Sequence, residues 1–158
     1  MNDITTIEGD LVATGMRFAI VAGRFNDIYV NQLILGAIDT LVRHGAARSD
    51  ITLIKVPGAY ELPMAARKAG ASDSIDAVIA LGVVVRGATP HFDFVAGEAA
   101  SGIARAAAEI DKPVSFGVLT TETMEQAEER SGSKAGNKGA DAALTAIEMV
   151  SVLRKLGE

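Results

Sequence analysis

Between residues 17 and 156 the chain alternates short β-branched apolar runs with longer stretches whose apolar residues recur at helical spacing. The runs are RFAIVAG at 17–23, ITLIKVPG at 51–58, DAVIALGVVVRG at 76–87 and PVSFGVLTT at 113–121. Gly23 ends the first and Pro57-Gly58 the second, so these read as strands with defined stops. A helix is predicted over 28–45, where Ile34, Ile38, Leu41 and Val42 share a face and Gly45 offers a C-terminal cap. Another spans 60–70, with Pro63 tolerable in its first turn. An alanine-rich helix covers 91–111 and ends before Pro113. A short acidic helix at 122–131, which Thr121 can cap, is followed by the interruption SGSKAGNKG and a final helix over 138–156.

Strands apolar on both faces, alternating with helices, point to a parallel sheet covered on two sides. Four of them predict an α/β protein whose residues 17–158 form a single-domain flavodoxin-like three-layer fold around a four-stranded parallel sheet. Residues 1–16 fit nowhere in that scheme and are read as an N-terminal arm. Its DLVATG stretch has the makings of an extra strand, one that the sheet edge of a neighbouring subunit would accept.

Composition adds limits. Of 158 residues 49% are hydrophobic but only 4% aromatic, so each core residue buries little area and burial between subunits would help. A formal charge of −5 with no basic face argues against a sequence-independent nucleic-acid binder. With no cysteine there is no disulfide, thiolate nucleophile or zinc–cysteine site. The first residues lack a signal pattern and no apolar run approaches ~20 residues, so no membrane span is expected and the cytoplasm is the default compartment.

In a sheet of this kind ligands bind beyond the carboxyl ends of the strands. There the chain places Phe25 after the first strand, Tyr60 and Glu61 after the second, and Arg86, Thr89 and His91 after the third, with LTTE ending the fourth. Each has an ordinary reading. Phe25 and Tyr60 can cover the sheet end, Glu61 can complement a helix dipole, and His91 can simply start a helix. His44, beside Gly45 in the last turn of a helix, is read as structural. Together, an aromatic face, a carboxylate and an imidazole suit a planar heterocycle with hydrogen-bonding edges, and imidazole exchanges protons near neutral pH. The RGAT turn before a helix start is an anion cradle. A second anion candidate, ERSGSKAGNKG, carries Arg130, Lys134 and Lys138. It lacks the Gly-Lys-Ser/Thr of a P-loop and reads equally well as a flexible loop of solvated charges. No G-x-G-x-x-G follows the first strand, and no metal cluster or G-x-S-x-G elbow is present.

The motifs GRFN, VPGAYELP, ALGVVVRGATPHFDFVA and FGVLTTETMEQAEERSGSKAGNKGADAALTAIEM together resemble the 6,7-dimethyl-8-ribityllumazine synthase family, in order and over most of the chain. The resemblance implies condensation of 5-amino-6-(D-ribitylamino)uracil with 3,4-dihydroxy-2-butanone 4-phosphate, a step of riboflavin biosynthesis that needs no metal or organic cofactor. It implies that Phe25 stacks on the pyrimidine and that Ala59, Tyr60 and Glu61 hold the ribityl chain and ring. Val83, Val84 and Val85 would bind the ring edge through backbone groups, and Ala88 and Thr89 would cradle the phosphate. His91 would be the general acid and base, while Phe116 and Arg130 would reach in from an adjacent subunit. Val83, Pro90 and Phe94 depart from the family's usual residues, outside the catalytic set. The family also implies a homo-oligomer, a pentamer or an assembly of pentamers. The apolar face of Met149, Val152, Leu153 and Leu156 suits such contacts, or packing on its own sheet. Two other classes on this scaffold fit less well. A flavin- or lumazine-binding protein has no use for His91 and Arg130, and a flavodoxin-like or receiver domain would need an FMN phosphate loop or an acidic cluster at strand ends where Gly23-Arg24 and Arg86-Gly87 stand.

Overall fold

In the structure, a computed structural model that describes residues 3–157, a four-stranded sheet forms the middle layer. Strand β1 (Phe18–Gly23) pairs with β2 (Ile51–Val56) on one side and β3 (Ala77–Val85) on the other, and β4 (Val114–Thr121) lies against β3. All three pairings are parallel, in the order β2-β1-β3-β4, so the flavodoxin-like α/β expectation holds. Helices α1 (Asp27–Arg43) and α5 (Lys138–Leu156) cover one face, and α2 (Leu62–Gly70) and α3 (His91–Ile110) the other.

The period of two in a strand explains the two cores. Phe18, Ile20 and Ala22 of β1 join Ile79, Leu81 and Val83 of β3 against the α1/α5 layer. Ala19 and Val21 join Val78, Ala80 and Val84 against the α2/α3 layer. Both faces of these central strands are covered, which is why their sequence shows no polar alternation. Edge strands are less enclosed: Leu53 of β2 and Phe116 of β4 are exposed in the single chain. Met149, Leu153 and Leu156 of α5 are exposed too, so this stripe does not pack fully on its own sheet.

Helix α1 ends as expected at Gly45, with φ 106°. The Gly45 N–H donates to Val42 O and the Ala46 N–H to Leu41 O, each at 3.0 Å, a Schellman closure that needs the left-handed residue. His44 is structural, with its Nδ1 2.7 Å from Thr40 O and its carbonyl accepting from the Ala13 N–H at 2.8 Å.

Two local expectations are corrected. The short acidic helix α4 (Met124–Glu129) is capped by Thr123, whose Oγ1 accepts from the Gln126 N–H at 3.2 Å, not by Thr121. Thr121 is still in β4, paired in register with Val85, and sheet pairing delays the helix by two residues. The SGSKAGNKG stretch is a small hairpin rather than a loose loop: β5 (Ser131–Ser133) pairs antiparallel with β6 (Gly136–Asn137). Asn137 joins this hairpin to two helices. Its Oδ1 accepts from Gly139 and Ala140 N–H at 2.9 and 3.2 Å, capping α5, while Nδ2 donates to Gln32 O of α1 at 3.0 Å.

Residues 10–15 pair with no strand of this chain. The arm lies along α5, with the Asp10 N–H on Ser151 Oγ at 2.9 Å and Lys155 Nζ on Glu8 O at 2.8 Å; Ala13 and Met16 are buried. Among the described residues no helix is long and apolar enough to cross a membrane.

Replacing Asn137 with alanine removes a helix cap and an interhelical donor together. Urea denaturation at fixed protein concentration is expected to show a loss of about 1–3 kcal/mol. Asn137→Asp, which keeps the cap oxygen and loses the donor, should fall between; a loss under about 0.5 kcal/mol for the alanine variant would refute this role.

Candidate active site

From β1 the chain crosses to β2 on one side and then to β3 on the other, so the strand order reverses at β1 and a crevice opens at the carboxyl ends of β1 and β3. A cavity of about 660 Å³ fills that crevice. Its walls are Phe25 and Asn26 after β1, Pro57–Glu61 after β2, Val83, Val84 and Val85 of β3, Gly87 and Thr89 in the next turn, and His91, Phe92, Phe94 and Val95 of α3.

The first two walls are fixed by backbone. The Arg24 N–H donates to Val56 O at 2.8 Å and the Phe25 N–H to Pro57 O at 3.1 Å, carrying the β1–β2 pairing past both strands. A Cβ built on Gly23 would lie 3.2 Å from the carbonyl carbon of Gly58, so the two turns pack closely and a side chain there presses on backbone. One built on Gly58 would meet Glu61 Oε2 at 3.5 Å and Phe25 Cβ at 4.0 Å, placing the carboxylate and the aromatic residue beside one small space. A 3₁₀ turn at Ala59–Glu61 then leads into α2, with Pro63 in its first turn. Phe25 is 74% exposed, so its ring is not packed into the chain's own core.

Asn26 ties the tips of β1 and β3 together. It stands before α1 in the left-handed region, φ 61°, which asparagine tolerates better than most residues. Its side chain does not cap the helix; Nδ2 donates to Val83 O at 2.8 Å across the cavity floor. Asn26, Phe92, Phe94 and Val95 are lining residues that sequence reasoning did not assign. A signal existed for part of this, since 91, 94 and 95 share a helix face; the Asn26 bond has none, because its partner lies 57 residues away.

The third wall is different. The N–H groups of Gly87, Ala88 and Thr89 have no hydrogen-bond partner among the described residues, which leaves them available to an anion at the start of α3. Arg86 is not available. Its Nε lies 3.1 and 2.9 Å from the two carboxylate oxygens of Glu122, its Nη1 3.2 Å from Asp93 Oδ1, and its guanidinium carbon 4.2 Å from the centre of the Phe92 ring. Hydrogen bonds to Glu122 and then Asp93 push its pKa above the usual arginine value. The tip of β4 does not reach the cavity either; it supplies Glu122 to Arg86 instead.

Nine of the twelve residues expected at the site therefore line one cavity: Phe25, Ala59, Tyr60, Glu61, Val83, Val84, Val85, Thr89 and His91. Ala88 lies between two lining residues. Phe116 and Arg130 are not brought there within the chain. Phe116 sits opposite Ala80 in the register, well back from the strand end, and is 42% exposed on the outer strand. Arg130 follows α4, with its Nη1 donating to Gln126 O at 3.1 Å. A smaller hollow of about 260 Å³ lies at the amino end of β4 beside Lys112, Ser115 and Met149, and none of the twelve lines it. Among the described residues no three His, Asp or Glu side chains gather as a metal ion would require.

Fold and crevice define a doubly wound α/β protein with a cavity at its switch point, lined by an aromatic residue, one carboxylate and one imidazole beside unbonded amides. A profile of the family 6,7-dimethyl-8-ribityllumazine synthase matches residues 15–154. A 6,7-dimethyl-8-ribityllumazine synthase of Chlorobaculum parvum (strain DSM 263 / NCIMB 8327) is 56% identical over 154 residues, covering 98% of this chain and 99% of that relative. The chain belongs to the 6,7-dimethyl-8-ribityllumazine synthase family.

In any Gly23 variant the new side chain meets the backbone of Gly58 and Ala59 rather than a flexible side chain, so the turn itself must move. Gly23→Val is expected to displace the 57–61 turn and lower kcat/KM by tenfold or more, since a shift of ~1 Å can cost about 10²-fold. An unmoved turn in the variant's crystal structure, with unchanged kinetics, would refute it.

Proposed function

We propose that the chain carries out its family's reaction in this cavity, in the cytoplasm: 5-amino-6-(D-ribitylamino)uracil and 3,4-dihydroxy-2-butanone 4-phosphate condense to 6,7-dimethyl-8-ribityllumazine, releasing phosphate and water. The observation that carries the reading is the convergence of Phe25, Glu61 and His91, from three separate strand ends, on one cavity. Phe25 stacks on the pyrimidine, and Glu61 accepts hydrogen bonds from ribityl hydroxyls beside Ala59 and Tyr60. Backbone groups of Val83, Val84 and Val85 meet the ring edge; the Val83 carbonyl keeps a second lone pair beside its bond from Asn26. The amides at Ala88 and Thr89 receive the phosphate.

In this reading the primary amine attacks the ketone and, after protonation of the hydroxyl, water leaves to give an imine. Loss of a proton from the adjacent carbon expels phosphate by cleaving its C–O bond, and the resulting enol takes up a proton to become a ketone with a terminal methyl group. The ribityl-bearing amine attacks that ketone, a second water leaves, and the ring closes. Every stage moves a proton, and His91 at the cavity mouth serves as donor and acceptor. Holding both substrates in register supplies much of the remaining acceleration.

Among the described residues no lysine or arginine lines the cavity, yet one substrate is a phosphate ester. This supports supply of Arg130, with Phe116, by the adjacent subunit of a homo-oligomer, a pentamer or an assembly of pentamers. The exposed apolar side chains of Phe25, Met64 and Phe94 support the same arrangement.

Mixing the purified protein with both substrates should give lumazine fluorescence and phosphate release together; neither signal appearing would end the reading. His91→Ala is expected to slow turnover by up to about 10²–10⁴-fold without abolishing it, and unchanged turnover across about pH 6–8 would exclude the acid–base role. Arg130→Ala should raise KM for the phosphate ester and leave that for the pyrimidine near its original value. Co-expressed His91→Ala and Arg130→Ala chains should regain activity in mixed oligomers, which cannot happen if each chain's Arg130 serves its own cavity.

A further inference from the structure

We propose that Arg86 is a positioning residue, whose guanidinium closes the turn between β3 and α3 into a ring and holds His91 and the phosphate-binding amides against the β4–α4 corner. The turn needs such a device. Residues 86–91 are all exposed, and a Cβ built on Gly87 would meet nothing within 4 Å. Its backbone is held at the ends only, by the Arg86 N–H on Thr121 O at 2.8 Å and the Asp93 N–H on Pro90 O at 3.0 Å.

The Arg86 side chain spans that gap. Nη1 reaches Asp93 in the first turn of α3, and the guanidinium lies over Phe92, which lines the cavity beside His91. Nε grips both oxygens of Glu122. Glu122 is itself anchored, because its N–H donates to Gln126 Oε1 at 2.8 Å and so joins it to the capped start of α4. The same helix carries Arg130 at its other end, so the clamp fixes this chain's turn relative to the cation it would offer a neighbour.

Only a planar fork serves two carboxylates in different directions while stacking on a ring; a lysine ammonium does not. The charged side chains are 38%, 61% and 62% exposed for Arg86, Asp93 and Glu122, and pairs so exposed add little to global stability. Their effect is local order.

This inference rests on the cavity being the site of condensation, so its test needs a readout independent of turnover. Hydrogen exchange and steady-state kinetics would be measured on the intact oligomer for wild type, Arg86→Met, Arg86→Lys and Glu122→Gln. Arg86→Met should exchange about tenfold faster at the amides of residues 86 and 93, the hydrogen-bonded ends of the turn, with 23–26 and 56–61 unchanged. Its kcat should fall about 10–100-fold and KM for the phosphate ester rise, while KM for the pyrimidine, bound on the other wall, holds. Arg86→Lys should lie between, Glu122→Gln should show a smaller change of the same kind, and Arg86→Met with Glu122→Gln should be no worse than Arg86→Met alone. Unchanged exchange at residues 86 and 93, or faster exchange spread over the whole chain, overturns the proposal. So does selective loosening with unaltered kinetics. A wild-type protein without turnover would instead overturn the condensation reading, and exchange would still decide whether Arg86 holds the turn.

Discussion

The backbone of Phe18–Gly23 is hydrogen-bonded to β2 along one edge and to β3 along the other, and the geometry of the site follows from that double pairing. Parallel neighbours point their carboxyl ends the same way, and each must be followed by a crossover rather than a tight hairpin. Three strand tips thus open onto one side, each with a free connection to furnish. Because the crossovers after β1 and β2 run in opposite directions, no helix fills the space between the β1 and β3 tips. Contact of Gly23 with Gly58 and the bond from Asn26 to Val83 O hold the three tips in register.

The cavity walls differ in how they are held. Phe25 and the 57–61 turn are extensions of the sheet, fixed by main-chain bonds that no side-chain substitution removes. The 87–91 turn is held from outside by side chains, and its own N–H groups are unspent. Such a division suits two unlike ligands. A rigid aromatic slot loses little on receiving a flat ring, whereas amides that bind an anion must stay unpaired until it arrives. Unpaired backbone is stable only where water reaches it, and this turn is exposed throughout.

The layered fold was legible because short β-branched apolar runs with glycine or proline stops stand apart from longer stretches at helical spacing, as RFAIVAG and DAVIALGVVVRG do. Gly45 and His44 were legible because a helix stop is local. What escaped was either short or distant. Thr121 and Thr123 are both good caps, and the choice between them depends on how far β3 holds β4. The hairpin at Ser131–Asn137 is built on small and polar residues, with Ala135 its single apolar one and no alternation to mark a strand. Asn26 belongs to the GRFN motif, yet its side chain acts on the Val83 carbonyl far along the chain. Phe25, Glu61 and His91 stood out because each is chemically unusual at a strand end. Arg86 stood out for the same reason, and only the position of Glu122 and Asp93 reveals that its charge is already engaged.

Charge balance in the cavity bears on assembly. A phosphate monoester brings about −1.5 to −2 charge near neutral pH, and the start of one helix offers roughly half a unit of positive charge. Glu61 adds a carboxylate, nearby Arg86 is matched by two others, and no lysine or arginine lines the walls among the described residues. A single chain is therefore short of positive charge where the proposed reaction needs it. Arg130 lies outside its own cavity, bonded to a backbone carbonyl and 3.5 Å from one carboxylate oxygen of Glu129, so it remains partly free on the surface. Phe116 lies on the open edge of β4. On the proposed reading, association of subunits then does more than cover Met64, Phe94 and the α5 stripe: it completes the electrostatics of catalysis, and the isolated chain would bind the flat substrate better than the charged one.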